Sequence, residues 1–305
     1  MREYMTSDPP FRFALTLDVG GSHITAAVVD LTSRALLPAT LTRRSIDEQA
    51  NREAIISGLA HAALDAARVE PYAVIAGIGM AMPAPFDYVA GVSLMQHKFH
   101  ALYERNILHD LQEAWVGTPL AGMPVRIAND ADLFALGEWW AGAARGCSSV
   151  IGLTLGTGMG SGFIRDGRIV TEGDGVPAQG ELWSLPYLNG LAEEYANGQA
   201  VTRAYHVRTG ATLTPKEISE RAAYDDAARD AFTELGEHLM HILLPVVKCF
   251  APDCLVVGGN VARSWALFGH LLQGGLNPVR CVQSMNFEEA ALLGAAILST
   301  ESSAS

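Results

Sequence analysis

The sequence predicts two α/β domains, and three observations lead to this fold class. The chain has 305 residues, enough for two domains of ordinary size with separate cores. Apolar residues make up 49% and charged residues 18%, a balance typical of packed globular proteins. An apolar strand, a glycine turn and a returning strand follow one another near residue 13 and again near residue 150. This weak internal duplication indicates two related domains that mix strands and helices.

The first half is predicted to alternate strands and helices. Residues 13–18 read as an apolar strand, Gly20-Gly21-Ser22 as a turn and residues 24–29 as the returning strand. Apolar residues at helical spacing predict a helix over 47–69. The further elements are a strand at 74–80 closed by prolines 83 and 85, a helix at 106–115, a loop at 118–124, a strand at 125–128 and a helix at 131–144.

The second half repeats the opening pattern and then becomes helical. Its predicted elements are a strand at 150–155, a glycine turn at 156–160, a returning strand at 162–165, a hairpin turn at 166–167 into 168–170, a glycine-rich loop at 173–180, mainly helices over 190–250, a strand at 254–257 and a final helix at 290–298.

Charge and cysteine content narrow the class of function. The formal charge is −12, and a negative field disfavours nucleic-acid and membrane partners. The first ten residues lack the apolar run of a signal peptide, and no stretch reaches the ~18 apolar residues of a membrane helix. The four cysteines form no CxxC pair, so we expect reduced thiols in a cytoplasmic protein. Cys249 and Cys254 flank a hydrophobic strand and have no histidine at suitable spacing, so we expect buried apolar packing, with a metal site as the alternative.

Three glycine turns follow apolar strands and could bind phosphate. They are Asp18-Val-Gly20-Gly21-Ser22, Gly156-Thr157-Gly158-Met159-Gly160 and Gly258-Gly259-Asn260. Glycine lets the backbone N–H groups approach an anion closely, and a carboxylate such as Asp18 can hold a hydrated cation beside it. Each turn alone could be an ordinary tight turn, but the three together indicate a polyphosphate site.

The segment Asn129-Asp130-Ala131-Asp132 also lies between a predicted strand and a helix. Asn129 or Asp130 could simply cap the helix. Asp130 could instead be the base that accepts a hydroxyl proton in phosphoryl transfer, because that reaction needs positioning, charge neutralisation and a base.

These segments, in this order, resemble the signatures of the ROK family of sugar kinases. The matching stretches are LTLDVGGSHITAAVVD, ANDADLFALGE, LTLGTGMGSGFIRDGRI and LVVGGNV, and the resemblance spans about residues 13–298. It implies a glucokinase-like member of the actin-like ATPase superfamily, with two ribonuclease-H-like α/β domains and a cleft between them. The smaller domain would cover 1–127, completed by a C-terminal helix at 289–305, and the larger would cover 128–288.

The resemblance also assigns roles to individual residues. It implies Asp130 as the catalytic base, Asp18 as the Mg²⁺ residue acting through water, and contacts to sugar by Asn129, Glu181 and Glu193, with Ser184 beside them. It places the nucleotide at Gly20, Gly21, Ser22, Gly156, Thr157, Gly158, Gly160, Gly258, Gly259 and Asn260. The cofactors would be ATP and Mg²⁺, the acceptor a hexose hydroxyl, most consistent with C6, and the protein could form a homodimer.

Three departures from the family pattern stand out. Ser184 replaces the histidine of the ExGH signature, and the short stretch 185–191 lacks the cysteines of the family's zinc loop, so we expect a variant without zinc. The loop Gln96-His97-Lys98-Phe99-His100 could recognise an acidic substituent or be an ordinary polar loop. Asp132 could raise the pKa of Asp130 by like-charge repulsion.

Other functions remain open at this point. One is a sugar sensor that binds without turnover, which the missing histidine allows. Another is a kinase that uses a different phosphoryl donor, such as polyphosphate. A sugar-responsive repressor would carry a DNA-binding domain ahead of the first phosphate motif, and only 17 residues precede Asp18.

Overall fold

Two compact units make up the part of the chain that the computed structural model describes, residues 12–70 and 73–301. Unit 1 consists of residues up to 133 together with residues from 291 onward, and unit 2 consists of residues 134–290. Each unit has its own hydrophobic core. Residues 1–10, which the sequence predicts to lack a signal peptide, lie outside the described residues.

The elements are named in chain order. The strands are β1 (Phe13–Val19), β2 (His23–Asp30), β3 (Ala35–Leu36), β4 (Thr42–Ser45), β5 (Ile75–Met82), β6 (Phe86–Asp87), β7 (Val92–Ser93), β8 (Val125–Asn129), β9 (Ser149–Leu155), β10 (Met159–Arg165), β11 (Arg168–Ile169), β12 (Pro186–Tyr187), β13 (Gly190–Leu191), β14 (Cys254–Gly258) and β15 (Arg280–Gln283). The helices are α1 (Arg52–Val69), α2 (Ile107–Ala114), α3 (Asp130–Ala141), α4 (Ala192–Tyr195), α5 (Gly198–Thr209), α6 (Pro215–Arg221), α7 (Asp226–Phe250), α8 (Trp265–Gly275) and α9 (Ala290–Leu298).

The main sheets of the two units share one topology. The sheet of unit 1 has the order β3-β2-β1-β5-β8, with β4 also pairing with β2, and the sheet of unit 2 has the order β11-β10-β9-β14-β15. In each, an antiparallel hairpin is followed by two strands parallel to its first strand. The duplication inferred from two glycine turns is therefore confirmed at the level of the whole sheet.

Glycines allow helices to approach these sheets closely. A Cβ on Gly79 of β5 would lie 1.9 Å from the carbonyl oxygen of Ala295 in α9. A Cβ on Gly152 of β9 would lie 2.5 Å from the Cβ of Ala135 in α3. Neither distance is tolerated between real atoms, so glycine is needed where the last helix packs on the first sheet and where α3 packs on the second.

The predicted elements are mostly confirmed, with two kinds of difference. Helix α1 begins at Arg52 rather than at residue 47, because the side chain of Asn51 caps it by accepting a 2.9 Å hydrogen bond from the N–H of Ala54. Helix α3 ends at Ala141, three residues before the predicted end. Helix α8 and edge strand β15 were not predicted, and β15 carries arginine and glutamine at its ends in place of a continuous apolar run.

Candidate functional site

The first candidate site lies at the carboxyl ends of parallel strands in unit 1. Asp18 of β1 is in register with Ala81 of β5, and Ala81 is in register with Ala128 of β8. Asp130 follows two residues after Ala128, as the first residue of α3. Ligands commonly bind at this edge of open α/β sheets, so the fold brings the two predicted acidic residues to a suitable place.

The charge of Asp130 acts on the carboxyl group of Asp18. The pKa of Asp18 is raised to about 7, mainly by burial, with the charge of Asp130 adding to the increase and that of Arg43 opposing it. A desolvated carboxylate next to a second one is a group whose ionised form a cation would stabilise. The oxygen donors present therefore suit a hard divalent ion such as Mg²⁺.

The pKa of Asp130 is also raised, and burial is the main cause. Its side chain remains accessible to solvent, but the surrounding protein reduces the hydration of the carboxylate. The N–H of Ala131 and the positive charge of Lys98 act in the opposite direction. Desolvation is the largest cause of the increase, and the expectation that Asp132 raises this pKa by repulsion stays a prediction.

Asn129 has the capping function that the sequence left as an alternative. Its Oδ1 accepts a 2.9 Å hydrogen bond from the N–H of Ala131, at the start of α3. Its Nδ2 donates to the hydroxyl of Tyr88 at 3.2 Å, and that hydroxyl donates to the carbonyl of Met82. The amide is thus fixed in orientation, and its second N–H is the group that remains for a ligand.

The first glycine turn leads into a chain of polar contacts. The N–H of Gly20 donates to the carbonyl of His23 at 2.9 Å, which closes the turn. Nη2 of Arg43 lies 2.7 Å from Nε2 of His23, and Nδ1 of His23 lies 3.0 Å from Oγ of Ser22. Because a guanidinium can only donate, Nε2 accepts and Nδ1 carries the proton that bonds Ser22. The hydroxyl proton of Ser22 is then available to a phosphate oxygen.

The second glycine turn joins β9 to β10 in unit 2. The N–H of Gly156 donates to the carbonyl of Gly158 at 2.9 Å, and the carbonyl of Gly156 accepts from Gly198 at the start of α5. Thr157 is exposed, and Gly160 lies in β10 opposite Thr154. The turn therefore presents an exposed hydroxyl on a fixed backbone.

Glu193 of α4 lies directly against this turn. Its Oε2 accepts a 2.8 Å hydrogen bond from the N–H of Met159. A Cβ on Gly158 would lie 2.6 Å from the same oxygen. Glycine at 158 thus makes room for the carboxylate of Glu193, a requirement that the sequence reading did not identify.

Glu181 lies between two short 3₁₀ turns, Ala178–Gly180 and Leu182–Ser184, and Ser184 ends the second. The hydroxyl of Ser184 donates to the carbonyl of Glu181 at 3.2 Å. Gly180 has a φ of 74°, a conformation that favours glycine, immediately before Glu181. Both residues are half-buried.

In the third glycine turn, tight packing explains why residues 258 and 259 are both glycine. Gly258 is buried, and a Cβ there would lie 2.4 Å from the ring of Phe134. Gly259 has a φ of 81°, and a Cβ there would lie 2.4 Å from the carbonyl oxygen of Leu155. Asn260 is exposed after them, at the carboxyl end of β14. These glycines are needed by the fold, whatever else they contact.

The comparison with known protein families identifies the chain. A family model described as "ROK family" matches residues 14–302, nearly the whole length. The chain belongs to the ROK family.

Sugar kinases of known name align with this ROK chain over almost their full length. It is 25% identical to the glucokinase of Thermotoga maritima and 28% identical to the glucokinase of Streptomyces coelicolor, in each case over 93% of this chain and 96% of the relative. The ROK hexokinase of Thermus thermophilus has a structure similar to it with a TM-score of 0.76 and 28% identity, over 94% of this chain and 97% of that one. The protein is thus a sugar kinase, a phosphotransferase with the actin-like ATPase fold.

The zinc-free character of this ROK chain stays a prediction. All four cysteines are free thiols. Among residues 12–70 and 73–301, one cluster of three possible metal ligands is present, His109 with Asp110 and Glu113, and it contains no cysteine. Asp110 already accepts two hydrogen bonds from Arg52, at 2.8 and 2.6 Å. In the same ranges, the helices are too short or too polar to span a membrane.

Several residues at the two sites were missed by the sequence reading. Tyr88 contacts Asn129, and Arg43 contacts His23, across 41 and 20 positions of sequence, so no local pattern marks these residues. Ser161 and Met159 were also missed, although they lie next to the second glycine turn. The alternation of β10 could have shown that both face the core with Phe163.

Proposed function

We propose that this sugar kinase transfers the γ-phosphoryl group of Mg·ATP to a hexose hydroxyl, with Asp130 as the general base. The observation that supports the base assignment is the raised pKa of Asp130 at the edge of the sheet, where Asp18 interacts with it. A carboxylate with a raised pKa accepts a proton more readily than an ordinary aspartate. The acceptor hydroxyl is the one at C6, following the family resemblance.

In this proposal each acidic group has one task. Asp130 takes the proton from the sugar hydroxyl as its oxygen attacks phosphorus, and the bond from the γ-phosphorus to the bridging oxygen breaks to release ADP. Asp18 would hold Mg²⁺ through water, and the ion, when bound, would supply the charge neutralisation on the phosphates that phosphoryl transfer depends on, together with positioning.

The sugar contacts proposed in unit 1 use an amide donor, and those proposed in unit 2 use carboxylate acceptors. Asn129 offers the one amide N–H that capping and Tyr88 leave over. Glu181 and Glu193 would accept hydrogen bonds from sugar hydroxyls, with Ser184 next to Glu181. The carboxylate of Glu193 retains acceptor capacity, because Met159 uses one lone pair of Oε2.

The nucleotide contacts in the proposal are mainly backbone N–H groups. Gly21, Gly158 and Gly160 would offer N–H groups to phosphate oxygens, with the hydroxyls of Ser22 and Thr157 as added donors. The N–H groups of Gly20 and Gly156 close their own turns, so these two glycines would instead let the phosphates approach the backbone closely. Gly258, Gly259 and Asn260 would lie on the adenosine side. The net charge of −12 makes backbone donors and a metal ion the expected means of holding a polyphosphate.

No observation favours the other functions considered from the sequence. A sensor without turnover would not need a carboxylate with a raised pKa next to a second one, and a long polyphosphate donor would favour a basic groove. A cytoplasmic location, a homodimer and the lack of nucleic-acid or membrane partners stay predictions.

The deciding experiment measures ADP release from Mg·ATP over a panel of hexoses, amino sugars, N-acetylated sugars and sugar acids. We expect turnover with at least one sugar, and Asp130→Asn should lower kcat by at least about 10²-fold while leaving the Kd of the sugar within a few-fold. Asp230→Asn, an exposed aspartate of α7, is the matched control and should keep full activity. Near-normal kcat in Asp130→Asn would refute the base assignment.

A further inference from the structure

Ser161 is a buried serine of β10 that no step of the proposed reaction uses. Its Oγ donates a 2.6 Å hydrogen bond to the carbonyl of Gly180 and accepts a 2.9 Å hydrogen bond from the N–H of Leu182. These two groups belong to the peptide bonds immediately before and after Glu181. A single hydroxyl therefore holds the backbone of Glu181 on both sides.

The contacts around Ser161 make this clamp rigid. Ser161 is 6% exposed, and Leu182, which accompanies Glu181 in the clamp, is fully buried in the core of unit 2. Ser161 itself pairs with Leu153 in the centre of the sheet. Buried hydrogen bonds of this kind are costly to leave unmade, because the orphaned carbonyl and N–H would lack water as a replacement.

The same strand also holds the second predicted sugar-binding acid. The N–H of Met159, two residues before Ser161, binds the carboxylate of Glu193 at 2.8 Å. Both contacts thus come from β10, which begins at the second glycine turn. Glu181 and Glu193 are therefore held by contacts from one strand, although they lie twelve positions apart in sequence.

We propose that Ser161 is a positioning residue that fixes Glu181 for binding the acceptor sugar. The inference rests on the proposed function of Glu181 as a sugar contact. Ser161 follows Gly160, a predicted nucleotide contact, but its hydroxyl bonds the backbone on either side of Glu181. Removing that hydroxyl should therefore affect sugar binding and leave nucleotide binding and the chemical step largely unchanged.

Ser149 provides a matched control in the same sheet. It lies on the neighbouring strand β9, is 8% exposed, and its hydroxyl has no hydrogen-bond partner among the described residues. Ser149→Ala and Ser161→Ala therefore remove the same atom from similarly buried sites, and only the second removes the clamp.

The test measures steady-state kinetics with D-glucose and Mg·ATP in the full-length protein, together with amide hydrogen exchange. Ser161→Ala should raise the KM for glucose about three- to tenfold and leave the KM for ATP and kcat within about twofold. Exchange of the Leu182 amide should accelerate. Ser149→Ala should change none of these, and Ser161→Thr, which keeps the hydroxyl, should restore slow exchange at Leu182.

Glu181→Gln separates failure of this inference from failure of the proposed function. If Glu181→Gln raises the KM for glucose and Ser161→Ala does not, the clamp is unimportant and the inference is overturned. If Glu181→Gln has no effect on that KM, Glu181 is not a sugar contact, and the inference falls with it. Unchanged exchange of the Leu182 amide in Ser161→Ala would also overturn it.

Discussion

At the scale of single residues, the candidate site contains an ionisable group whose charged form the fold disfavours. This group is Asp18, because its pKa is about 7 in the folded protein against an ordinary value near 3.8. The folded state therefore holds a proton on Asp18 over a pH range in which the unfolded chain has released it. The ionised form is unfavourable in the fold, and stability contributed by this site should decrease as pH rises from about 4 to about 7.

Asp18→Asn should thus stabilise the protein in a pH-dependent way. Asparagine cannot ionise, so we expect the variant to have a free energy of unfolding higher by about 1–3 kcal/mol at pH 8, with little difference near pH 4. Urea denaturation of both proteins without divalent metal ions, at several pH values, measures this. A stability difference that is the same at all pH values would contradict the role of ionisation, and Asp230→Asn should show no difference at any pH.

The sequence predicts most residues of the candidate site, but it does not show the structural reason for each of them. Asp18, Asp130 and the glycine turns stand out because they follow apolar strands, and the parallel pairing of β1, β5 and β8 brings the two aspartates to one edge. The requirement for glycine at 158 depends on Glu193, which is 35 residues away, so only the folded structure shows it. The desolvation that raises the pKa of Asp130 likewise depends on the surrounding fold, which no local sequence pattern shows.

At the scale of elements, helix α3 is fixed at both ends by polar side chains. Asn129 caps its start, and Glu138, near its end, is fully buried. The carboxylate of Glu138 accepts hydrogen bonds from the N–H of Ala143, the hydroxyl of Ser284 and the N–H of Asn286, at 2.7, 2.6 and 2.9 Å. It thereby ties α3 to the loop after β15.

Glu138→Ala should accordingly destabilise unit 2. The substitution leaves several buried donors without an acceptor and opens a cavity, which together cost about 2–5 kcal/mol. Glu289→Ala, at an exposed position, is the control and should change stability by no more than about 0.5 kcal/mol. Chemical denaturation of both variants gives the comparison, and equal stability of the two would show that the Glu138 contacts contribute nothing.

Elements with strong local patterns were predictable, and those that depend on pairing were not. The long apolar strands β1, β5, β9 and β14 and helix α1 follow from periodicity. The two-residue strands, such as β12 and β13, carry no period that could be recognised in so short a segment. Helix α8 was missed although it is rich in leucine and glycine, because glycine lowers helix propensity at both its centre and its end.

At the scale of the whole molecule, the chain returns at its end to the unit in which it began. Residues from 291 onward belong to unit 1, and α9 packs on β5 through Gly79. The first unit is therefore completed only after the entire second unit has been synthesised. Its stability should depend on a contact between segments more than two hundred residues apart.

Gly79→Ala tests this dependence with one added methyl group. The new Cβ would meet the backbone carbonyl of Ala295 at 1.9 Å, and since backbone atoms cannot rotate away, α9 must shift from the sheet. We expect a loss of about 2–4 kcal/mol in the free energy of unfolding. Hydrogen exchange should become faster in β5 and α9 and stay unchanged in α7, which belongs to unit 2.

Gly274→Ala is the control for this substitution, because Gly274 lies within α8 and a Cβ added there would have open space for 4 Å around it. Alanine there should leave stability unchanged or raise it by up to about 1 kcal/mol, as expected for a glycine replaced in a helix. If Gly79→Ala were as stable as Gly274→Ala, α9 would not be held closely against β5. The C-terminal segment would then be an appendage of unit 1, and truncation at residue 290 should leave the unit folded.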